Sequence, residues 1–205
     1  MRPWPFRNGS IRNVQRSPPH QTWTLTDGHA GNVRQARALA DALRLPTRDI
    51  VLAPRLPWKW AAPRALPSSH AAFGHSFEAL LDDPSLASTL VIGCGRQAAL
   101  ATRLLRERGA RAVQVLDPRI STRHWDAVIA PEHDRLQGGN VLTLLGSVNP
   151  VTDAWLGASR AAFASFADLP RPRTAMLIGG PTTNLRMRRP DLDRWLRTVR
   201  ARSEE

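Results

Sequence analysis

From Thr22 onward, apolar runs of strand length alternate with longer helical stretches, and most of these runs end in Gly, Asp or Pro. The predicted strands lie in WTLTDG, DIVLA, LVIGCG, AVQVLDP, WDAVIAPEHD, NVLTLLGS and TAMLIGG. Strands that alternate with helices are typical of a parallel sheet in an α/β protein. The sequence therefore predicts a Rossmann-like parallel sheet with flanking helices, in which ligands gather beyond the carboxyl ends of the strands.

The predicted helices lie in NVRQARALADALRL, RQAALATRLLRERG, TDAWLGASRAAFASFADL and PDLDRWLRTVRARSEE. In the first, the apolar positions fall on one helical face. Asn32 is predicted to cap this helix, with Gln35 as its capping-box partner, and Thr152 is predicted to cap the third. Residues 54–75 contain four prolines and predict a long irregular loop.

Composition excludes several classes of protein. A single cysteine, Cys94, rules out an internal disulfide framework and a cysteine-based zinc site. The chain contains no apolar run long enough to span a membrane, no G-x-S-x-G hydrolase motif and no Walker loop. It is therefore predicted to be a soluble, cytoplasmic protein.

The net charge is +12, and Lys59 is the only lysine. A functional basic surface or a GC-rich genome would each produce so many arginines. The arginines are spread along the chain, and no tyrosine is present, whereas nucleic-acid modules cluster basic and stacking residues. No nucleic-acid partner is predicted.

The first strand end is the stretch TLTDGHAGNVRQARALADAL. Gly28 and Gly31 are expected where a side chain would collide with the turning backbone. The N–H groups at the start of the following helix, near Asn32, can then face an anion. Asp27 either accepts a hydrogen bond from a sugar hydroxyl or caps the turn.

The second strand end, IGCGRQAALA, matches G-x-G-x-x-A through Gly93, Gly95 and Ala98. Asp117 ends the next strand, where a dinucleotide fold places its ribose-binding acid. This spacing predicts an NAD-type turn. Alternatively, Arg96 at the helix start clamps a phosphate or carboxylate.

Polar residues also follow the later strands. Glu132, His133 and Asp134 are consecutive, and no metal site is predicted, because neighbours on an extended chain point to alternate sides. His133 is a candidate general base, since its unperturbed pKa is near neutrality; the alternative is a loop braced by its own hydrogen bonds. Gly179 and Gly180 resemble another phosphate-cradling turn.

Six motifs in this order resemble the ELM-type mitochondrial-fission family, whose bacterial members were once described as predicted nucleoside-diphosphate-sugar epimerases. They are TDGHAGNVRQARALADAL, IGCGRQAALATRLLRERG, VQVLDPR, WDAVIAPEHD, GNVLTLLGSVNPVT and MLIGGPTTN, within about residues 22–184. The resemblance implies a GT-B-like architecture of two Rossmann-like domains facing a cleft. In that architecture residues 22–168 would be the first domain, and residues 169–205 a linker with the first strand and helix of a truncated second domain. Residues 1–21, which contain arginines and prolines and no acid, are predicted from their composition to be a disordered basic leader.

The resemblance further implies a glycosyltransferase- or epimerase-like protein with a nucleotide-sugar or glycan-acceptor ligand and no required cofactor. The residues of the first strand end, Asp27, Gly28, Gly31 and Asn32, would shape the acceptor side of the cleft. The residues that would line it are Arg96, Asp117, Arg119, Glu132 and His133, and the catalytic candidates are His133, Glu132 and Asp27. Two alternatives stay open: an NAD-type oxidoreductase, and a non-enzymatic interaction protein with peripheral membrane contact.

Overall fold

The computed structural model describes residues 18–171, 173–178 and 188–203. These residues contain six strands: β1 (Gln21–Thr26), β2 (Thr47–Val51), β3 (Thr89–Cys94), β4 (Arg111–Val115), β5 (Ala127–Pro131) and β6 (Val141–Leu144). The α-helices are α1 (Ala30–Leu43), α2 (Trp58–Ala61), α3 (His75–Leu81), α4 (Arg96–Glu107), α5 (Asp153–Ala162) and α6 (Arg189–Ser203).

All six strands belong to one parallel sheet in the order β2-β1-β3-β4-β5-β6. The predicted α/β fold with a Rossmann-like arrangement is therefore confirmed. Because every strand runs the same way, all the carboxyl ends lie at one edge of the sheet, which we call the carboxyl edge.

The strands at the centre of the sheet are buried because helices cover them. Val91 and Ile92 of β3 and Leu100 of α4 are fully buried. α4 directs an unbroken run of small and apolar side chains, from Ala98 to Ala101, into the core. Such small residues let a helix approach the sheet closely.

The chain divides into two compact units at Pro150/Val151. The first contains the whole sheet and α1–α4, and the second contains α5 and α6. The sequence placed the domain boundary after residue 168, so the division found here precedes α5 instead of following it. Of the predicted leader, residues 1–17 lie outside the described residues, and its last residue, Gln21, begins β1.

One predicted strand is absent from the part of the chain that the structure describes, and one helix was not predicted. Thr174–Ile178, predicted as a strand, has no strand structure, and Leu177 within it is 96% exposed. A strand needs a partner for its backbone groups, and no described strand pairs with this segment. The loop of residues 54–75 is irregular as predicted, apart from the single turn of α2 and a 3-10 helix at Ser69–Phe73. α3 follows it and was not predicted.

Thr152 caps α5 as predicted, since its hydroxyl oxygen accepts a hydrogen bond from the Trp155 N–H at 3.1 Å. No helix in residues 18–171, 173–178 or 188–203 has the length and apolar character needed to cross a membrane.

Candidate functional site

The topological switch point lies between β1 and β3. The chain passes from β1 outward to β2, returns to β3 on the other side of β1, and continues away toward β6. Connections that leave in opposite directions open a crevice at the carboxyl edge, where doubly wound folds bind their ligands. Asp27 follows β1 and Gly95 follows β3, so both lie at the carboxyl edge beside this switch point.

Asp27 is held by hydrogen bonds within its own turn. Its Oδ1 accepts from the backbone N–H of His29 at 3.1 Å and from Nδ2 of Asn32 at 2.9 Å. The ring nitrogen Nδ1 of His29 lies 3.1 Å from the same oxygen. Burial raises the pKa of Asp27, but these bonds from Asn32 and His29 outweigh it and leave the pKa below its ordinary value. Asp27 is therefore ionised at neutral pH.

This lowered pKa makes stability depend on pH. A carboxyl whose pKa is lower in the folded than in the unfolded chain stabilises the fold at pH above its unfolded value, about 3.9. That contribution is lost as the pH falls through the folded value. We expect Asp27→Asn to reduce the loss of stability below about pH 4, measured by urea unfolding at successive pH values. Asn32→Ala should reduce it partly, because it removes one of the donors. An unchanged pH profile in both variants would contradict this assignment.

Gly95 brings the two strand ends into contact. Its φ of +93° is in the region that favours glycine, and a Cβ there would lie 2.7 Å from Nδ2 of Asn32. The thiol of Cys94 donates to Oδ1 of Asn32 at 3.5 Å. Asp27, Asn32, Cys94 and Gly95 thus form one connected group, which we call the switch-point cluster.

Cys94 has no nucleophilic role in this cluster. Burial, with the nearby charge of Asp27, raises the pKa of its thiol to about 12. The thiol is therefore protonated at neutral pH, and a thiol is a nucleophile only when ionised. It serves as a small buried donor to Asn32.

Asn32 is not the N-cap of α1, contrary to the sequence prediction. His29 occupies that position without a side-chain capping bond, and Asn32 lies in the first turn with its amide directed to Asp27. Gln35 has no role in a capping box, and its Oε1 is buried without a hydrogen-bond partner. The local signature failed because Asp27, five residues earlier, binds the Asn32 amide instead.

The two glycines of the first strand end differ. Gly28 has φ +81°, and a Cβ there would lie 3.3 Å from Cγ1 of Val51, which agrees with the expected crowded turn. Gly31 is helical, and apart from its chain neighbours and the backbone of its own helix no heavy atom lies within 4 Å of where its Cβ would be. The expectation of a collision at Gly31 is therefore wrong.

Both helices that begin at the switch point lack a side-chain cap. α1 starts after His29 and α4 after Gly95, and neither has an acidic residue in its first turn. α5, in contrast, is capped by Thr152 and starts with Asp153. The exposed Arg96 opens α4, and its guanidinium donates to the carbonyl oxygen of Lys59 at 3.3 Å.

Asp117 and Arg119 lie beyond β4, the next strand along the edge. The Asp117 carboxylate accepts from the Arg119 backbone N–H at 2.7 Å, and its other oxygen lies 3.3 Å from Nε of the same residue. The two candidates are therefore paired with each other, with Asp117 largely covered and Arg119 80% exposed.

Glu132 and His133 lie beyond β5, one strand further. Strands are about 4.8 Å apart, so the end of β5 is roughly 14 Å from the end of β1 and Asp27. The structure therefore does not bring the three catalytic candidates together. Glu132–Asp134 form a 3-10 turn, not the extended chain assumed in the argument against a metal, and His133 Nε2 lies 3.7 Å from Asp134 Oδ1.

The remaining predictions concern the glycine pair at 179–180 and the metal site. Gly179 and Gly180 lie outside the described residues. Within the described part of the chain, no group of three or more His, Cys, Asp or Glu side chains is arranged to hold a metal ion.

The structure adds three residues that sequence reasoning missed: His29, Cys94 and Gln114. Gln114 is 1% exposed, and its Nε2 donates to the carbonyl oxygens of Gly95 at 3.3 Å and Val115 at 2.9 Å. It therefore fixes the backbone of the glycine turn from the neighbouring strand. A polar residue inside the apolar run AVQVLDP was the signal available in the sequence.

Comparison with known protein families identifies a match over most of the chain. A sequence model of the family described as mitochondrial fission ELM1 matches residues 30–205. Neither the curated proteins nor the solved structures contain a significant match to the chain.

Proposed function

This chain belongs to the mitochondrial fission ELM1 family, and from that premise we propose that it binds a nucleotide-sugar or its glycan acceptor, as part of a glycosyltransferase- or epimerase-like protein. The observation that carries the proposal is the switch-point cluster, an ionised carboxylate beside a glycine turn at the switch point of the parallel sheet. Switch points are where folds of this class bind nucleotide ligands.

The ends of two helices favour an anionic group at this position. α1 and α4 both direct uncapped N–H groups toward the carboxyl edge, and neither first turn contains an acid. N–H groups at a helix start, together with the helix dipole, attract phosphate. Arg96 adds a guanidinium at the same end of α4, and such a group binds phosphate through two parallel hydrogen bonds.

Asp27 suits the sugar side of such a ligand. It is ionised at neutral pH, and its Oδ1 is engaged by Asn32 and His29. Its Oδ2 faces the Gly95 turn, 3.7 Å from where a Cβ would be. An ionised carboxylate held in this way accepts hydroxyl hydrogen bonds well and is a weak base. Because Asp27 is a weak base, the proposed general base is His133. A ligand bound at Asp27 would have to extend along the carboxyl edge to reach it.

Calorimetric titration of the full chain with UDP-sugars, GDP-sugars and the free nucleoside diphosphates tests this proposal. Arg96→Ala should weaken binding by roughly ten-fold or more, the effect expected for a charge-assisted hydrogen bond. Arg108→Ala is the matched control, because Arg108 follows the opposite end of the same helix and pairs with Asp82. Absence of binding by every common nucleotide would count against the proposal.

One observation favours a second candidate, an NAD-type dinucleotide site. Gly93 lies near the end of β3, which borders the switch point, the Gly95 turn follows that strand, and Asp117 follows the adjacent β4. That is the arrangement a dinucleotide fold requires. However, the Asp117 carboxylate already accepts from the Arg119 N–H. Quenching of tryptophan fluorescence by NAD(H), abolished in Asp117→Ala, would support this candidate, and no binding at millimolar NAD(H) would exclude it.

A further inference from the structure

The loop that follows β2 presents apolar side chains to solvent although it is firmly anchored. We call residues 55–66 the Trp loop. Trp60 is 73% exposed, Leu56 is 56% exposed and Leu66 is 37% exposed. The Lys59 N–H donates to the Arg55 carbonyl oxygen at 2.9 Å, so the segment is coiled as a helical turn. The exposed side chains of Leu56 and Trp60 therefore belong to one tightly turned segment.

Three contacts fix the loop to the first unit. Trp58 Nε1 donates to the carbonyl oxygen of Pro67 at 3.1 Å, and Arg103 Nη1 donates to that of Pro63 at 2.9 Å. Arg96 donates to the carbonyl oxygen of Lys59. Ala62 is 3% exposed and belongs to the hydrophobic core. The exposure of Trp60 is therefore a property of an ordered loop with an inner and an outer side.

The charge of this region has one sign. Residues 50–77 contain Arg55, Lys59 and Arg64 and no acidic residue. All three bases are exposed. An exposed indole and exposed leucines in a segment whose charged residues are all cations are a combination that a neutral protein partner would not explain.

We propose that the Trp loop docks on an anionic lipid bilayer. Trp side chains partition to the level of the lipid headgroups, and leucines enter the adjoining acyl boundary. Each basic residue near the surface is attracted by the negative potential of anionic lipids. A nucleic acid would use the cations and could stack on Trp60, but it would leave Leu56 and Leu66 in water. The lipid surface is therefore the partner that uses every exposed group of the loop.

Vesicle flotation of the full chain tests this inference independently of the proposed nucleotide site. Wild-type protein should float with vesicles that contain phosphatidylglycerol and far less with pure phosphatidylcholine, and raised salt should weaken the binding through screening. The double variant Leu56→Ser/Trp60→Ala should bind at least roughly ten-fold more weakly, from the lost apolar burial. Lys59→Gln/Arg64→Gln should bind roughly ten-fold or more weakly, and its remaining binding should depend less on salt.

Two control variants separate the loop from the rest of the chain. Trp155→Ala removes a partly exposed indole of α5, and Arg108→Gln removes an exposed cation beyond the end of α4; both should bind as wild type does. Trp60→Phe should recover part of the binding, and all variants should keep the wild-type thermal midpoint. Undiminished flotation of both loop variants would overturn the inference. So would binding of single-stranded RNA that is lost in the same variants while wild-type protein fails to float.

Discussion

Replacement of Gly93 by alanine is expected to lower the free energy of unfolding by about 3 kcal/mol, the upper part of the usual range for overpacking a core. A Cβ at this position would lie 2.7 Å from Oε1 of Gln114, 2.8 Å from Cγ2 of Thr102 and 3.2 Å from the carbonyl oxygen of Ala98. Both side chains are buried, and the third contact is backbone, so none can move freely. β3 and α4 would have to separate.

Urea unfolding followed by circular dichroism measures this effect, and Gly31→Ala is the matched control. The same methyl group is added there to a helix, and no heavy atom outside the local helix backbone and the two chain neighbours lies within 4 Å of it. Stability should be unchanged or higher by up to about 1 kcal/mol, since alanine is the better helix former. Equal effects of the two substitutions would show that close packing at Gly93 is not the reason for the glycine.

The same substitution should also act on the candidate site. Gly93 lies two residues before Gly95. The Gln114 side chain connects them, because its Oε1 lies against Gly93 and its Nε2 donates to the carbonyl oxygen of Gly95. Displacement of α4 would move Arg96 and the first turn of that helix. The glycine therefore connects the packing of the core with the geometry of the switch-point cluster.

The sheet could be predicted from the sequence because it depends on patterns that are local. Apolar runs and the intervening helices fix the six strands, and Thr152 caps α5 through a bond three residues away. The φ of Gly95 likewise follows from its position between a strand and a helix. Since all strands are parallel, placing the strand-end residues at one edge required no further information.

The arrangement along that edge could not be predicted, because it depends on strand order. Nothing local shows that β3 returns beside β1, and only this return brings Gly95 and Cys94 against Asn32. The capping prediction for Asn32 failed for a different and local reason, since its amide is engaged by Asp27, five residues earlier.

The strand order also separates residues that the sequence analysis had assigned to one site. Asp27 and His133 lie at the same edge of the sheet, but at the ends of strands that are three positions apart. Asp117 already accepts a hydrogen bond from Arg119, so this carboxylate is not left free for a ligand. The segment 174–178 was predicted as a strand from its local pattern but does not form one. Its composition is that of a strand, yet a strand exists only where a second strand pairs with it.

Replacement of Trp125 by alanine is expected to cost about 4 kcal/mol, as for other large buried aromatic residues. Trp125 is 1% exposed, and its Nε1 donates to the hydroxyl oxygen of Thr102 at 2.8 Å. The Thr102 hydroxyl in turn donates to the carbonyl oxygen of Ala98 at 3.0 Å. From the other side, Asn140 Nδ2 donates to the carbonyl oxygen of Trp125 at 2.9 Å. The indole thus joins the start of β5 to α4 inside the core.

A graded series of variants separates packing from hydrogen bonding at Trp125. Thr102→Val leaves the indole N–H buried without an acceptor and should cost roughly 1–3 kcal/mol. Trp60→Ala removes the same side chain from an exposed position and should stay within about 0.5 kcal/mol of wild type. If Trp125→Ala and Trp60→Ala had equal effects, the indole could not be a core residue. If Thr102→Val alone were neutral, packing would carry the whole contribution, and the bond would serve only to orient α4 against β5.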